Sequence, residues 1–402
     1  MIRADRVDQE TIKDGNYKKI LTLLQKERAV TKQAISREIG VSLPTVITHI
    51  NQLIKEGIVE EAGLSVSSGG RKPVIVKFKP DARYAFGVEF SSSHISRVHY
   101  IRIVLINLDS TIKYDVSFDY QEFDNVDGII RHIHDLCRGI LSQKGISRER
   151  ILGIGFSLPG TVNEDKKILE QAPNIDPKFG MKDLDFKKYE SLFPFPLLVE
   201  NEANASAFAE LILGVAKRKR NLIFLSVNRG IGAGIVVREH IYKGSNKRAG
   251  EFGHMTVASL GNVCTCGRKD CWELYAASGA LIRGYNKAST EKLTDTKEFL
   301  AKLNSGDPDA RATWEKYLDY LAVGIDNILL FFDPHYIVLG GEICLFEEII
   351  LEPLKARLFR KNSYYTSEDL KILMSRLKEN SAVLGAALLP LQKLFYLNTR
   401  II

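Results

Sequence analysis

The stretch from Gly250 to Glu273 constrains this chain more tightly than any other. It reads Gly-Glu-Phe-Gly-His, then nine residues, then Cys-Thr-Cys-Gly-Arg-Lys-Asp-Cys-Trp-Glu. Three of the chain's five cysteines, Cys264, Cys266 and Cys271, fall within eight residues, and His254 stands just upstream. Three thiolates and one imidazole are the ligand set of a closed, tetrahedral structural zinc site. No fourth cysteine or second histidine competes within the stretch. Glu251 and Glu273 each lie within three residues of a ligand. Coordination would hold the backbone that presents them, so the metal is expected to be scaffolding and the carboxylates to face a small polar ligand. Cys137 and Cys344, in apolar surroundings, are expected to be plain buried thiols.

A chain of 402 residues has room for two or three domains with ample core. Its net charge of +7 is unevenly placed: residues 1–79 hold 14 Lys/Arg and 9 Asp/Glu, so +5 of it sits in the first fifth. That asymmetry points to a head that meets an anionic surface. There is no run of 18 apolar residues, and the opening Met1-Ile-Arg-Ala-Asp has no apolar signal core. With few cysteines and a thiolate site, the expected compartment is reducing and cytoplasmic, with no membrane partner.

Residues 16–56 carry three amphipathic helical stretches. Ile20, Leu21, Leu23 and Leu24 mark the first. Thr31 is placed to cap a second through Ile39, which Gly40 stops. Ser42 is placed to cap a third that runs to about Glu56, with Pro44 tolerated in its first turn and Val46, Ile50, Leu53 and Ile54 inward. Two short helices across a tight turn read as helix-turn-helix. Ser42, Thr45, Thr48, His49 and Gln52 are expected on the outward side, within reach of base edges in a major groove. Strands at Ile58–Glu60 and Val74–Val76 flank Ser67-Ser68-Gly69-Gly70-Arg71-Lys72-Pro73. Arg71 and Lys72 suit a minor groove or phosphates, which makes the head a winged helix-turn-helix.

Beyond Lys79-Pro80-Asp81, strand patterns alternate with helical ones. Strands are expected at Tyr84–Phe90, Ile101–Leu108, Ile112–Phe118, Ile151–Ser157, Leu197–Asn201, Leu222–Val227, Gly234–Val237 and from Tyr336. Helices are expected at Ile129–Leu141, Ala203–Leu213, Thr294–Asn304, Trp314–Phe332, Leu345–Leu358 and Ser381–Phe395, the last kinked at Pro390. Such alternation implies α/β architecture. The expected partition is 1–80 for the head, 81–198 with 380–402 for a first lobe, and 199–379 for a second lobe holding the metal.

Gly-Glu-Phe-Gly-His followed by Cys-x-Cys-Gly-x-x-x-Cys-x-Glu resembles the zinc motif of the ROK family (repressors, open reading frames, kinases). Asp270 departs from it, since the family usually has Gly before the last cysteine. The Gly-Gly-Arg-Lys-Pro wing and its helices resemble the head of ROK repressors, which ROK kinases lack. The resemblance implies an actin-like, sugar-kinase fold of two lobes around a cleft. It also implies a monosaccharide held by Asn201, Glu202, Glu251, His254 and Glu273, with Gly160 and Asn174 lining the same pocket. Carboxylate acceptors and an amide donor in fixed positions suit hydroxyls that both donate and accept. His254 has one nitrogen for zinc and another for a hydroxyl.

Three departures bear on catalysis. Where the kinases have an Asp base, this chain has Glu202. Their first phosphate turn, Asp-x-Gly-x-Thr, is Glu89-Phe90-Ser91-Ser92-Ser93 here, and their second, Gly-Thr-Gly-x-Gly, is Asn228-Arg229-Gly230-Ile231-Gly232. Backbone amides cannot cradle phosphate where side chains fill the space, and phosphoryl transfer depends mainly on positioning. A non-catalytic, sugar-responsive repressor on a palindromic operator, as a homodimer or a dimer of dimers, is therefore expected. An ATP-dependent sugar kinase with a DNA-binding head is the alternative. The sugar, the operator and repression as against activation stay open at this point.

Overall fold

The computed structural model describes residues 9–64, 74–92, 99–172, 175, 179, 181–217, 219–360 and 363–395. The head comprises α1 (Gln9–Glu27), β1 (Ala29–Thr31), α2 (Lys32–Ile39), α3 (Leu43–Lys55), β2 (Val59–Leu64) and β3 (Val74–Phe78). Local chemistry sets its corners. The Thr31 hydroxyl accepts from the Ala34 amide at 3.2 Å and opens α2. Gly40 closes α2 in the left-handed region at φ 67°, where a β-carbon is unfavourable. The Ser42 hydroxyl accepts from the Thr45 amide at 3.4 Å and opens α3. The three strands pair antiparallel in the order β1-β3-β2. With three helices, they make a winged helix-turn-helix.

The core of the head does not close on itself. Leu21, Leu24, Val46 and Leu53 belong to one buried cluster with Val104, Leu108, Leu388, Leu391 and Phe395 from far along the chain. Polar ties cross the same seam: Thr22 donates to the Phe395 carbonyl at 3.1 Å, Gln25 donates to the Leu108 carbonyl at 2.6 Å, and Arg28 pairs with Asp109. The head is thus welded to the body by apolar burial.

The body holds two five-stranded sheets. The first uses β4 (Tyr84–Ser92), β5 (His99–Asn107), β6 (Ile112–Asp119), then α4 (Val126–Lys144) and β7 (Ile151–Leu158). A small antiparallel sheet of β8 (Thr161–Asn163), β9 (Ile168–Gln171) and β10 (Leu184–Asp185) follows, then β11 (Leu197–Asn201) and α5 (Glu202–Ile212). The second sheet begins with β12 (Leu222–Val227), β13 (Ile231–Val237) and β14 (His240–Tyr242). After α6 (Glu273–Ala276), α7 (Ser278–Ala288), α8 (Thr296–Asn304) and α9 (Pro308–Phe332) come β15 (Tyr336–Gly340), α10 (Glu347–Leu358) and β16 (Lys371–Met374). The chain returns to the first sheet with α11 (Ser381–Leu388) and α12 (Gln392–Phe395), separated by a 3-10 turn through Pro390.

The sheets share one plan. Their orders are β11-β7-β4-β5-β6 and β16-β15-β12-β13-β14. In each, an antiparallel three-strand meander is extended by two parallel strands. Between the sheets lie two helices, α11 on the first sheet and α5 on the second. Glycine and alanine let these layers touch backbone to backbone. A β-carbon at Gly155 would lie 2.0 Å from the Ala386 carbonyl oxygen, and one at Gly385 would lie 2.0 Å from that of Ala205. At Gly234, one would lie 2.5 Å from that of Ala203. The apolar segment Ala382–Phe395 thus packs on the first sheet, α5 and the head. Among the described residues, no helix is long and apolar enough to cross a membrane.

Several elements differ from expectation. β1 and the β8-β9-β10 sheet carry too few residues for a pattern and exist through their partners. α9 begins at Pro308, six residues before Trp314, with Asp307 capping it through the Ala310 amide at 2.9 Å. Cys137 is buried as expected, but Cys344 is only half-buried.

Gly385→Ala should lower stability by about 1–3 kcal/mol, since the added carbon has nowhere to go. Gly139→Ala on α4, where a β-carbon meets nothing within 4 Å, should be neutral or stabilising by up to about 1 kcal/mol. Urea unfolding midpoints of the two variants check the contrast.

Candidate functional site

The His-Cys stretch folds as a knuckle. Short bridges pair Thr256 with Cys271 and Val263 with Lys269. Asp270 sits at φ 57°, which explains why the position favours glycine, and asparagine or aspartate tolerates it best among the rest. Its carboxylate adds what glycine cannot. It accepts from the amides of Leu260, Gly261 and Asn262 at 3.0, 2.8 and 3.1 Å, and from the Tyr275 hydroxyl. That hydroxyl, then the amides, hold the carboxyl below its ordinary range. Next door, Trp272 is wholly buried and donates to the Tyr320 carbonyl at 2.8 Å, while Gly324 leaves room for its indole. The knuckle is therefore nailed to α9.

The four ligating atoms of His254, Cys264, Cys266 and Cys271 lie within 4.8 Å of one another. Cys266 Sγ is 3.6 Å from Cys271 Sγ, and Cys264 Sγ is 3.7 Å from His254 Nδ1. Tetrahedral zinc with Zn–S bonds of about 2.3 Å requires ligand separations of about 3.5–3.8 Å, so the cluster fits a metal ion. His254 presents Nδ1 to the thiols, which leaves Nε2 on the other side, 3.9 Å from a Glu251 oxygen. Glu273, at the start of α6, reaches within 3.5 Å of His254 Nδ1.

A cleft of about 1000 Å³ opens between the sheets, and Gly160, Asn201, Glu202, Glu251, His254 and Glu273 all line it. Asn201 caps α5: its side-chain oxygen accepts from the Asn204 amide at 3.1 Å, and its amide donates to the Gly160 carbonyl at 2.7 Å. Glu202 accepts from the Ser226 hydroxyl at 2.8 Å, and burial raises its pKa against that bond. The cleft walls raise the pKa of Glu251 in the same way, with the His254 ring opposing them and the Glu273 charge adding to them. The Thr161 hydroxyl, from the β8 side, hydrogen-bonds Glu251 across the cleft. Further ties join the same two sides. Lys243 lies 3.0 Å from Glu164 and 2.5 Å from Glu200, Lys247 lies 2.8 Å from Glu164, and Arg248 lies 2.8 Å from Glu170.

The two altered turns meet at the floor of this cleft. Glu89 is only 7% exposed, and its Oε2 has no hydrogen-bond partner among the described residues. Burial, then the charge of Glu202, pushes its carboxyl up to about 8. Asn228 is tied down structurally, accepting from the Glu342 amide at 2.8 Å and donating to the Ser226 hydroxyl at 3.0 Å. Arg229 is exposed at the cleft's edge.

On α3, Ser42, Thr48 and Gln52 are exposed and Thr45 is half-buried. His49 is not on that face. It is 2% exposed and meets the Tyr17 ring edge-on at 6.1 Å. Position 49 lies three residues after Val46 and four before Leu53, so the helical period turns it inward with them. Asn51, which the sequence reasoning passed over, is exposed beside Thr48 and Gln52. The same period, carried one step further, would have found it. Arg71, Lys72, Asn174 and Ser93 lie outside the described residues.

Comparison with known proteins gives two family matches: the ROK family over residues 98–393 and a winged helix-turn-helix DNA-binding domain over residues 14–60. The xylose repressor of Bacillus subtilis is 30% identical over 382 residues, covering 95% of this chain and 96% of that protein. A glucokinase of Streptomyces coelicolor is 30% identical over 222 residues, 51% of this chain and 69% of that one. Among solved structures, a ROK family transcriptional regulator, homolog of the E. coli MLC protein, matches with a TM-score of 0.80 at 24% identity, covering 95% of this chain and 97% of that chain. A ROK hexokinase from Thermus thermophilus matches with a TM-score of 0.61 at 26% identity, covering 76% of this chain and 97% of that chain. The repressor and the regulator match along the head and body together.

His49→Ala should destabilise the head by about 2–4 kcal/mol, as truncations of well-packed side chains do, with the ranking among DNA sequences unchanged. Asn51→Ala should leave stability within about 0.5 kcal/mol and change that ranking. Thermal melts and binding to a panel of DNA duplexes separate the two.

Proposed function

This chain belongs to the ROK family, and we propose that it is a transcriptional repressor whose hold on DNA is released by a monosaccharide bound in its cleft. One observation carries this reading. Asn201, which caps α5, and Glu202, its first residue, line the cleft, α5 packs backbone to backbone on α11, and the α11–α12 segment shares its core with the DNA-binding head. A ligand that moves α5 therefore pushes on the head through close-packed atoms.

Xylose is the first effector to test, because the relatives that match along the whole chain are named for it. Glu202, Glu251 and Glu273 accept from its hydroxyls, Asn201 donates, and His254 Nε2 adds one more partner. Gly160 completes the wall, and Asn174 is a further contact by the family resemblance. The metal is zinc, held by His254, Cys264, Cys266 and Cys271. When bound, it supplies a fixed charge that orients His254 and ties down the loop carrying Glu251. Closure would draw on the ties between the β8–β9 hairpin and residues 243–251. For release to follow, the sugar must bind the two states unequally. A coupling of about 1–3 kcal/mol changes operator affinity about 5- to 150-fold.

The head meets DNA through Ser42, Thr45, Thr48, Asn51 and Gln52 in the major groove and through Arg71 and Lys72 of the wing. Two heads of a homodimer suit a palindromic operator. The domains follow as residues 1–80, 81–198 with 380–402, and 199–379, with α5 serving both lobes, in a cytoplasmic protein. Sugar phosphorylation is not part of the function: a buried Glu89 and a tethered Asn228 stand where phosphate would be cradled.

Glu251→Ala should abolish the loss of operator binding on xylose addition while leaving sugar-free binding intact, as read by fluorescence anisotropy. Cys266→Ser should lose bound zinc by elemental analysis and lose the xylose response with it; a full response in the metal-free variant would remove the metal from the mechanism. ADP release with Mg-ATP and xylose or glucose should stay at background, and turnover above it would instead favour the kinase reading.

A further inference from the structure

A second cavity, of about 520 Å³, lies beyond the cleft floor. Glu89, Ser91, Glu202 and Asn228 line both spaces and so form the wall between them. The second cavity is acidic from end to end. Glu89, Glu202 and Glu342 stand at its inner end, with Glu89 and Glu342 only 7% and 8% exposed. Glu347, Glu348 and Glu379 stand at its solvent-exposed mouth. Among the described residues lining it, Lys378 is the one cation, and it lies 3.2 Å from Glu347. The chain carries a net charge of +7, so this acidity is local and does not reflect the protein as a whole.

The buried carboxyl at the inner end is short of partners. Glu89 Oε2 has none among the described residues, and Arg102, the cation that acts on it, is committed to Asp115 at 3.0 and 2.6 Å. A buried polar group without a partner is costly unless a ligand satisfies it. The shape argues against a bare metal ion. Among the described residues, the only group of ligating side chains that converges on a point is the His-Cys cluster. The cavity's carboxylates instead run from buried to exposed, and Tyr100, Phe346 and Ile349 line the same space. Acids at both ends and apolar or aromatic walls between suit ammonium groups joined by methylenes. The volume lies within the range of roughly 300–1,000 Å³ usual for small-molecule sites.

We propose that this second cavity binds a small linear polyamine, with one ammonium group at Glu89 and Glu202 and another at the Glu347, Glu348 and Glu379 mouth. The same charges repel a nucleotide. The ligand differs from the sugar in charge and position, so this site stands whether or not the cleft takes a monosaccharide. Because Glu89 comes from the first sheet and Glu342 follows the second, a bound polyamine bridges the lobes.

The test is calorimetric titration of spermidine into the full-length, zinc-loaded protein without DNA, at constant ionic strength set with sodium chloride. Saturable binding of one equivalent per chain is expected, with magnesium chloride failing to displace it. Glu89→Gln should weaken binding about tenfold, the loss of one charge-assisted hydrogen bond. The double variant Glu347→Gln/Glu348→Gln, at two exposed positions, should weaken it about tenfold as well. No saturable binding to the wild type overturns the proposal, and so does unchanged affinity in the double variant. Saturable binding of Mg-ATP to the wild type in the absence of spermidine overturns it too.

Discussion

Everything in this molecule depends on how closely two helices can be pressed between two sheets. α11 lies on the first sheet and α5 on the second, and each meets its sheet and the other helix at backbone distance. Glycines at 155, 385 and 234 remove the side chains that would otherwise hold the layers apart. The alanines of α5 keep that helix slim, and Ala203 through Leu211 are buried on every side. Close packing of this kind has little compressibility. A displacement at the cap of α5 must therefore reach α11, and from there the shared core of the head.

That geometry also gives the cleft its character. The residues that enter it do so from helix and loop ends whose positions are set elsewhere: Asn201 and Glu202 by the α5 cap, His254 and Glu273 by a knuckle that Asp270 and Trp272 anchor. Carboxylates brought together with little water hold their protons more tightly than in solution. Glu89, Glu202 and Glu251 all show it. An environment of that kind suits hydroxyl partners, which both donate and accept, on a body of the ROK family.

Much of this was legible along the chain. The caps at Thr31 and Ser42, the stops at Gly40 and Gly57, and the kink at Pro390 depend on residues a few positions apart. The same is true of the His-Cys ligand set, whose spacing reflects one loop folding back on itself. The valine- and isoleucine-rich strands declared themselves because buried strands need little more than local pattern. His49 was misplaced for a reason of degree. A polar residue on a helix was assigned by its chemistry, when its phase with Val46 and Leu53 already put it inside.

Sequence alone therefore determined the head, the class of the body and the His-Cys set that could hold a metal, since these rest on short-range spacing and the conformational preferences of individual residues. Tertiary structure alone decided the rest. β1 and the β8–β10 sheet form only because a partner strand is there to bond them. The common strand order of the two sheets, the glycine contacts around α11, and the acidic second cavity join residues as far apart as Glu89 and Glu379. Their meeting is governed by packing and burial across the whole chain, which leaves no mark at the scale of a helical turn or a strand.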